Sequence, residues 1–313
     1  MSPSRPASGC VDIQVNGYLG VDFSSPDLSL DDIASVCHAL WERSTVAFCP
    51  TVITSEPEVY EHNLPLLASA IHQPPSGALI AGIHVEGPFL ARESCGAHPE
   101  DLLCLPDIDM FRKWQDMAEG LISITTLAPE LPGGIDFISE VVDRGVIVAL
   151  GHHMASADDI YEAAAAGARL STHLGNGLAN MLPRHPNPLW SQLACDDLMG
   201  SFITDGHHLP REFVRVAKRA KGIDNFIVTS DAAAIAGLPP GPYEWGGQEV
   251  VLDAEGKISM AHKDSLAGSA ATMRDCVTQM AEWTDLNNEE LIKVSRDNPL
   301  TLLGIEEDAL PDK

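Results

Sequence analysis

Short apolar runs alternate along this chain with segments of helical spacing. The first run, residues 11–16, reads Val-Asp-Ile-Gln-Val-Asn and is stopped by Gly17. A helix is predicted from about Ser29. Ser29-Leu30-Asp31-Asp32 has the form of a capping box, and Ile33, Val36, Cys37 and Leu40 recur at helical spacing. Residues 45–50 read as strand two, with a helix over about 57–72. Residues 79–86 read as one continuous strand three, ended by Gly87-Pro88, because Pro has no N–H for the ladder and Gly takes sharp turns. A helix at 107–118 precedes strand four at 121–127. A helix at about 134–143 precedes strand five at 146–151. Ser156-Ala157-Asp158-Asp159 caps a further helix, and residues 169–172 form a short strand six. Strands seven and eight are expected at 200–204 and 225–230, separated by a helix at 211–220, and a last helix starts near Ala271.

Eight strands alternating with helices is the count for a closed α/β (β/α)8 TIM barrel. A doubly wound open sheet is the alternative. It would want a glycine-rich phosphate turn after strand one, and Gly17-Tyr18-Leu19-Gly20 is not GxGxxG. The alternation breaks at 239–264, where Pro- and Gly-rich stretches flank two short apolar runs around Val250-Val251-Leu252 and Lys257-Ile258-Ser259-Met260. This predicts a β-hairpin excursion. The other irregular piece is 174–198. Residues 1–10 read as a disordered tail, 11–305 as the barrel with its excursion, and 306–313 as a C-terminal tail.

Composition narrows the function. The 313 residues are 45% hydrophobic, ample for a large core. Net charge is −26, which argues against a nucleic-acid or anionic-membrane partner, since both need a basic face. No apolar run approaches the roughly 18 residues of a membrane span. The first nine residues carry no apolar signal-peptide core. Seven scattered cysteines with no CxxC pair fit a reducing compartment, so a cytoplasmic location is expected.

Polar residues collect at the predicted strand ends. They are Gln14 and Asn16 on strand one, His84 and Glu86 on strand three, and His152-His153 after strand five. His173 follows strand six, Asp205-Gly206-His207-His208 strand seven, and Asp231 strand eight. In a (β/α)8 barrel this is the rim where chemistry sits. Two His and one Glu with an open fourth position is the inventory of a catalytic zinc, and an Asp unclaimed by the metal is the inventory of a general base and acid.

The arrangement resembles the N-acetylglucosamine-6-phosphate deacetylase family of the amidohydrolase superfamily. The likeness rests on Asp12-Ile13-Gln14-Val15-Asn16-Gly17, Gly82-Ile83-His84-Val85-Glu86-Gly87-Pro88-Phe89, Gly96-Ala97-His98-Pro99, Leu150-Gly151-His152 and Thr172-His173-Leu174. It continues through Asp205-Gly206-His207-His208, Thr229-Ser230-Asp231-Ala232, Leu266-Ala267-Gly268-Ser269 and Asn298-Pro299-Leu300, in order along nearly the whole chain. The resemblance implies metal-dependent hydrolysis of an acetamide on an amino sugar phosphate, with Glu86, His152 and His173 as metal ligands. It implies Asp231 as general base and acid, and His98 as the residue that contacts the acetamido group and polarises its carbonyl. Asn176 and Gly177 fall on the loop that approaches the sugar phosphate, and Arg184 and His208 on phosphate-binding positions. A homodimer is implied, because the family's phosphate site draws on a neighbouring subunit.

Many amidohydrolases carry His-x-His on strand one to hold a second metal, whereas this chain has Gln14-Val15-Asn16. An amide is a poor ligand beside imidazole, so a single divalent cation is expected, with zinc the expected ion. The family's small β-sandwich, built from both chain ends, is expected to be largely missing. The rival readings are a deacetylase of an unphosphorylated amino sugar or other N-acyl amide, and a non-catalytic sugar-phosphate-binding barrel.

Overall fold

The computed structural model describes residues 9–262 and 265–311. The expectation of a disordered start therefore lies largely outside the described residues. Eight parallel strands run in chain order around one sheet: β1 Cys10–Val15, β2 Thr45–Ile53, β3 Ile83–Glu86, β4 Ile122–Leu127, β5 Ile147–Leu150, β6 Leu170–Ser171, β7 Met199–Ile203 and β8 Phe226–Thr229. Each is followed by a helix: α1 Leu30–Glu42, α2 Pro57–His72, α3 Ile108–Met117, α4 Gly134–Val142, α5 Ala157–Ala165, α6 Pro188–Ala194, α7 Arg211–Lys221 and α8 Met273–Trp283. This is the (β/α)8 barrel read from the sequence. The two predicted serine caps form complete capping boxes, Ser29 with Asp32 and Ser156 with Asp159.

The barrel closes at the β1–β8 seam mainly through a side chain. Asp12 Oδ1 accepts from Thr229 Oγ1 at 2.8 Å and from the Ser230 N–H at 3.2 Å, and Oδ2 accepts from Ser230 Oγ at 2.5 Å. Above it, the Asn16 and Gly17 N–H groups donate to Ala232 O. Burial pushes the Asp12 carboxyl up to about 6 against these bonds.

Two layers fill the interior. Ile13, Cys49, Ile124, Ala149, Leu170 and Ile227, from six strands, form an apolar plug. Successive same-face residues on a strand are two apart, so the next layer up holds Thr51, Thr126, Thr172 and Thr229, all buried. Hydroxyls thus separate the plug from the mouth. His84 joins this layer, with Nδ1 facing Ile13 O at 3.1 Å and Nε2 facing Thr126 Oγ1 at 2.8 Å. A carbonyl only accepts, so Nδ1 carries the proton and Nε2 accepts from Thr126. Burial lowers its pKa to about 4.

Three expectations need correction. Residues 79–86 are not one strand: Leu79–Ile80 pairs with β2, and β3 begins at Ile83. Gly82 breaks the run with φ +131°, where a Cβ would lie 2.0 Å from Ser123 Oγ. The excursion is not a hairpin but a three-stranded antiparallel sheet, β9 Gly241–Trp245, β10 Gln248–Leu252 and β11 Ile258–Met260. β9 holds Pro242 and, among the described residues, pairs only with β10, and an edge strand tolerates a residue that cannot donate. Finally, α8 is not the last helix. Helical turns run on from Asn288 to Leu303, and Arg296 pairs with Glu307 beyond them.

Candidate active site

The strand ends deliver the predicted side chains to one mouth. Glu86 is the last residue of β3, while His152, His173 and Asp231 each stand two residues beyond β5, β6 and β8. Those three have positive φ (52°, 30° and 52°), so the chain turns sharply where the strand stops. Non-glycine residues take this left-handed region at a cost of about 1–3 kcal/mol each, and such strain concentrates at functional sites.

Three donor atoms converge. Glu86 Oε1 lies 3.0 Å from His173 Nε2 and 3.3 Å from His152 Nε2, and the two nitrogens are 3.1 Å apart. His152 Nδ1 faces Ser94 O at 2.9 Å, so it carries the proton and leaves Nε2 a lone pair. All three residues are buried. Two imidazoles and a carboxylate crowding their lone pairs into one buried point form a donor set for a divalent cation, and the residues fit one. Burial works against the Glu86 charge, but the neighbouring His152 and His173 outweigh this and hold its carboxyl well below the usual range. Burial likewise opposes charge on His173, and the bond to and charge of Glu86 outweigh it, raising the imidazole.

Both strand-one amides serve carboxylates. Gln14 Nε2 donates to Glu86 Oε1 at 3.1 Å, and Asn16 Nδ2 donates to Asp231 Oδ1 at 2.8 Å. Burial raises the Asp231 carboxyl, while His173 and Asn16 pull it back. His98 packs its ring 4.6 Å from that of His152, holds Nδ1 2.8 Å from Thr54 Oγ1 and places Nε2 3.8 Å from Glu86 Oε2. Burial lowers it to about 3, so it is neutral at ordinary pH.

Asn16, Glu86, His98, His152, His173 and Asp231 border a cavity of about 580 Å³ together with Asn176, Gly177 and His208. His208 is set by Asp205, whose Oδ2 accepts a hydrogen bond from Nδ1–H at 2.7 Å. Arg184 is exposed on the 174–198 loop and does not line the cavity. Of the other histidines, His153 accepts the Ala155 N–H and does not line the cavity, His62 bonds Leu28 O, and His38 and His72 sit on helix surfaces.

Sequence reasoning missed Asp205 as the partner of His208, and Trp245, Lys257 and Ser259, which line the cavity from the excursion. The available signal was period-two alternation in Lys257-Ile258-Ser259-Met260, where Ile258 and Met260 are buried in the excursion core.

No protein-family model matches the chain. The N-acetylglucosamine-6-phosphate deacetylase of Bacillus subtilis (strain 168) is 33% identical over 300 residues, covering 95% of this chain and 75% of that protein. The protein of the same name from Homo sapiens is 34% identical over 309 residues, covering 96% and 75%. Among solved structures, a mutant N-acetyl-D-glucosamine-6-phosphate deacetylase from Mycobacterium smegmatis in complex with N-acetyl-D-glucosamine-6-phosphate aligns with a TM-score of 0.88 at 28% identity, over 95% of this chain and 77% of that one. The Pasteurella multocida enzyme gives the same TM-score and identity over 98% and 78%. With this likeness along nearly its whole length, the chain belongs to the N-acetylglucosamine-6-phosphate deacetylase family.

Proposed function

We propose that the protein hydrolyses the acetamide of N-acetylglucosamine 6-phosphate to glucosamine 6-phosphate and acetate, using one divalent cation, with zinc the expected ion. The observation that carries this reading is the convergence of Glu86, His152 and His173 beside Asp231 in one cavity. Glu86, His152 and His173 would hold the cation. When bound, it supplies a Lewis acid and lowers the pKa of water from about 15.7 towards 7.

The chain's own residues do the rest. Asp231 accepts a proton from the attacking water as the new C–O bond forms at the acetamide carbon. It returns that proton to the sugar nitrogen as the C–N bond breaks, so acetate and the amine leave. Asn16 holds Asp231 in place through Oδ1. His98, neutral, takes the Thr54 hydroxyl proton bond at Nδ1 and donates from Nε2 to the carbonyl oxygen where negative charge grows. Asn176, Gly177 and His208 line the cavity and would contact the sugar phosphate. Gln14 and Asn16 donate to carboxylates through their amide nitrogens, and an amide oxygen is a poor metal ligand beside imidazole, which supports a mononuclear centre.

Arg184 is proposed to act across a homodimer. It is exposed, and nearby Met181 (88%) on the same loop and Trp190 (53%) on α6 are exposed too, apolar surface suited to a partner. A cytoplasmic location accords with seven scattered cysteines and no CxxC pair.

The test is acetate release by the zinc-loaded protein from N-acetylglucosamine 6-phosphate, beside unphosphorylated N-acetylglucosamine. Turnover of the phosphorylated sugar is expected, with Asp231→Asn about 100- to 10,000-fold slower while binding the cation normally, the usual worth of a general acid–base group. Absence of acetate from either sugar overturns the reading.

A further inference from the structure

A phosphorylated sugar entering this cavity meets two carboxylates at its catalytic end, Glu86 and Asp231, in a protein of net charge −26. Recognition of its dianion calls for a cation at the other end. Among the described residues that line the cavity, Lys257 is the one lysine or arginine. We propose that Lys257, on the turn between β10 and β11, is a specificity-determining residue that binds the phosphate within the same subunit. This rests on the deacetylase reading above.

Three features place it. First, the turn is built rather than loose. Asp253 Oδ1 accepts from the N–H groups of Glu255 at 3.0 Å and Lys257 at 2.8 Å, and the Asp253 N–H donates to Lys257 O at 3.0 Å. Second, alternation sets the direction of the side chain. Ile258 and Met260 are buried in the excursion core, so Lys257 and Ser259 take the opposite face, and both line the cavity. Third, the turn is docked on the barrel rim. His207 Nε2 faces Glu255 O at 3.1 Å, and since a carbonyl only accepts, His207 donates there. The next residue, His208, lines the same cavity. The link therefore brings Lys257 to the wall that carries His208.

An ammonium bound to a phosphate is a charge-assisted contact that discriminates strongly against the uncharged analogue. Steady-state kinetics of the cation-loaded protein test it. Lys257→Met is expected to raise KM for N-acetylglucosamine 6-phosphate about tenfold with kcat within about twofold. The preference for the phosphorylated over the unphosphorylated sugar then falls about tenfold, and Lys257→Arg recovers most of it. An unchanged KM in Lys257→Met, or an equal loss on both sugars, overturns the proposal. Wild-type protein that turns over neither sugar overturns the deacetylase reading instead. Calorimetric binding of inorganic phosphate then still decides Lys257: weaker binding to Lys257→Met than to wild type sustains it, and equal binding refutes it.

Discussion

The Nε2 atoms of His152 and His173 stand 3.1 Å apart with Glu86 Oε1 3.0–3.3 Å from each. Two imidazole lone pairs at that distance repel unless a proton or a cation sits between them. A cation present at about 1,000 times its Kd adds roughly 4 kcal/mol of stability. Chelation is therefore expected to lower the melting temperature by at least about 5 °C and abolish turnover, and one equivalent of zinc per chain is expected to restore both. Metal analysis giving close to two ions per chain would exclude the mononuclear centre.

Asn16 bears on the pH profile. Its N–H bond to Asp231 favours the carboxylate that must accept a proton, while burial favours the neutral acid. Hydrogen bonds to charged groups are worth about 1.5–3 kcal/mol, or on the order of one pH unit. Asn16→Ala therefore raises the Asp231 pKa further, and the acid limb of kcat/KM moves up by about one unit. A lowered plateau with an unmoved limb would mean that Asn16 acts on something other than this carboxylate.

Gly177 lies against both imidazoles. A Cβ there would come 2.9 Å from His152 Nδ1 and 3.0 Å from His173 Cε1, at a φ of +59°. Gly177→Ala is expected to weaken cation binding about tenfold or more, in addition to roughly 1 kcal/mol of backbone cost. The melting temperatures of loaded and chelated protein separate the two effects. A variant that loses equal stability in both states would show that the methyl does not disturb the donor set.

Asp205 predicts a stability change with a defined pH window. Burial raises its carboxyl, but His208 and two backbone N–H groups outweigh this and hold it at about 2 against an ordinary 3.8. A depressed carboxyl stabilises the fold above its unfolded pKa and loses that contribution as pH falls from about 4 towards 2. The shift corresponds to roughly 2 kcal/mol. Urea unfolding of Asp205→Asn should show about that deficit at pH 7 and at pH 5, and a smaller one at pH 3. A deficit that stays constant down to pH 3 would contradict the ionic origin.

The barrel was legible in the sequence because its information is local. Each strand is a short buried run, and the starts of α1 and α5 carry their own capping boxes. That Glu86, His152, His173 and Asp231 reach the rim was legible for the same reason, since each stands where a strand stops; their selection from among the other polar residues there came from the resemblance to the deacetylase family. β9 was not, because Pro242 and its polar neighbours read as loop, and only the edge position makes a strand of them.

The sequence by itself determined the fold class, the rim that carries the chemistry and the family. Tertiary structure alone decided how the barrel is clasped, where Asp12 meets Thr229 and Ser230 across the β1–β8 seam. It alone decided that Gln14 and Asn16 serve carboxylates. It also decided that Lys257 faces the cavity while Arg184 stays outside it. The physical reason is range. Periodicity and caps act within a few residues, whereas these pairings join strands far apart in the chain, and closing the barrel is what brings them within hydrogen-bonding distance.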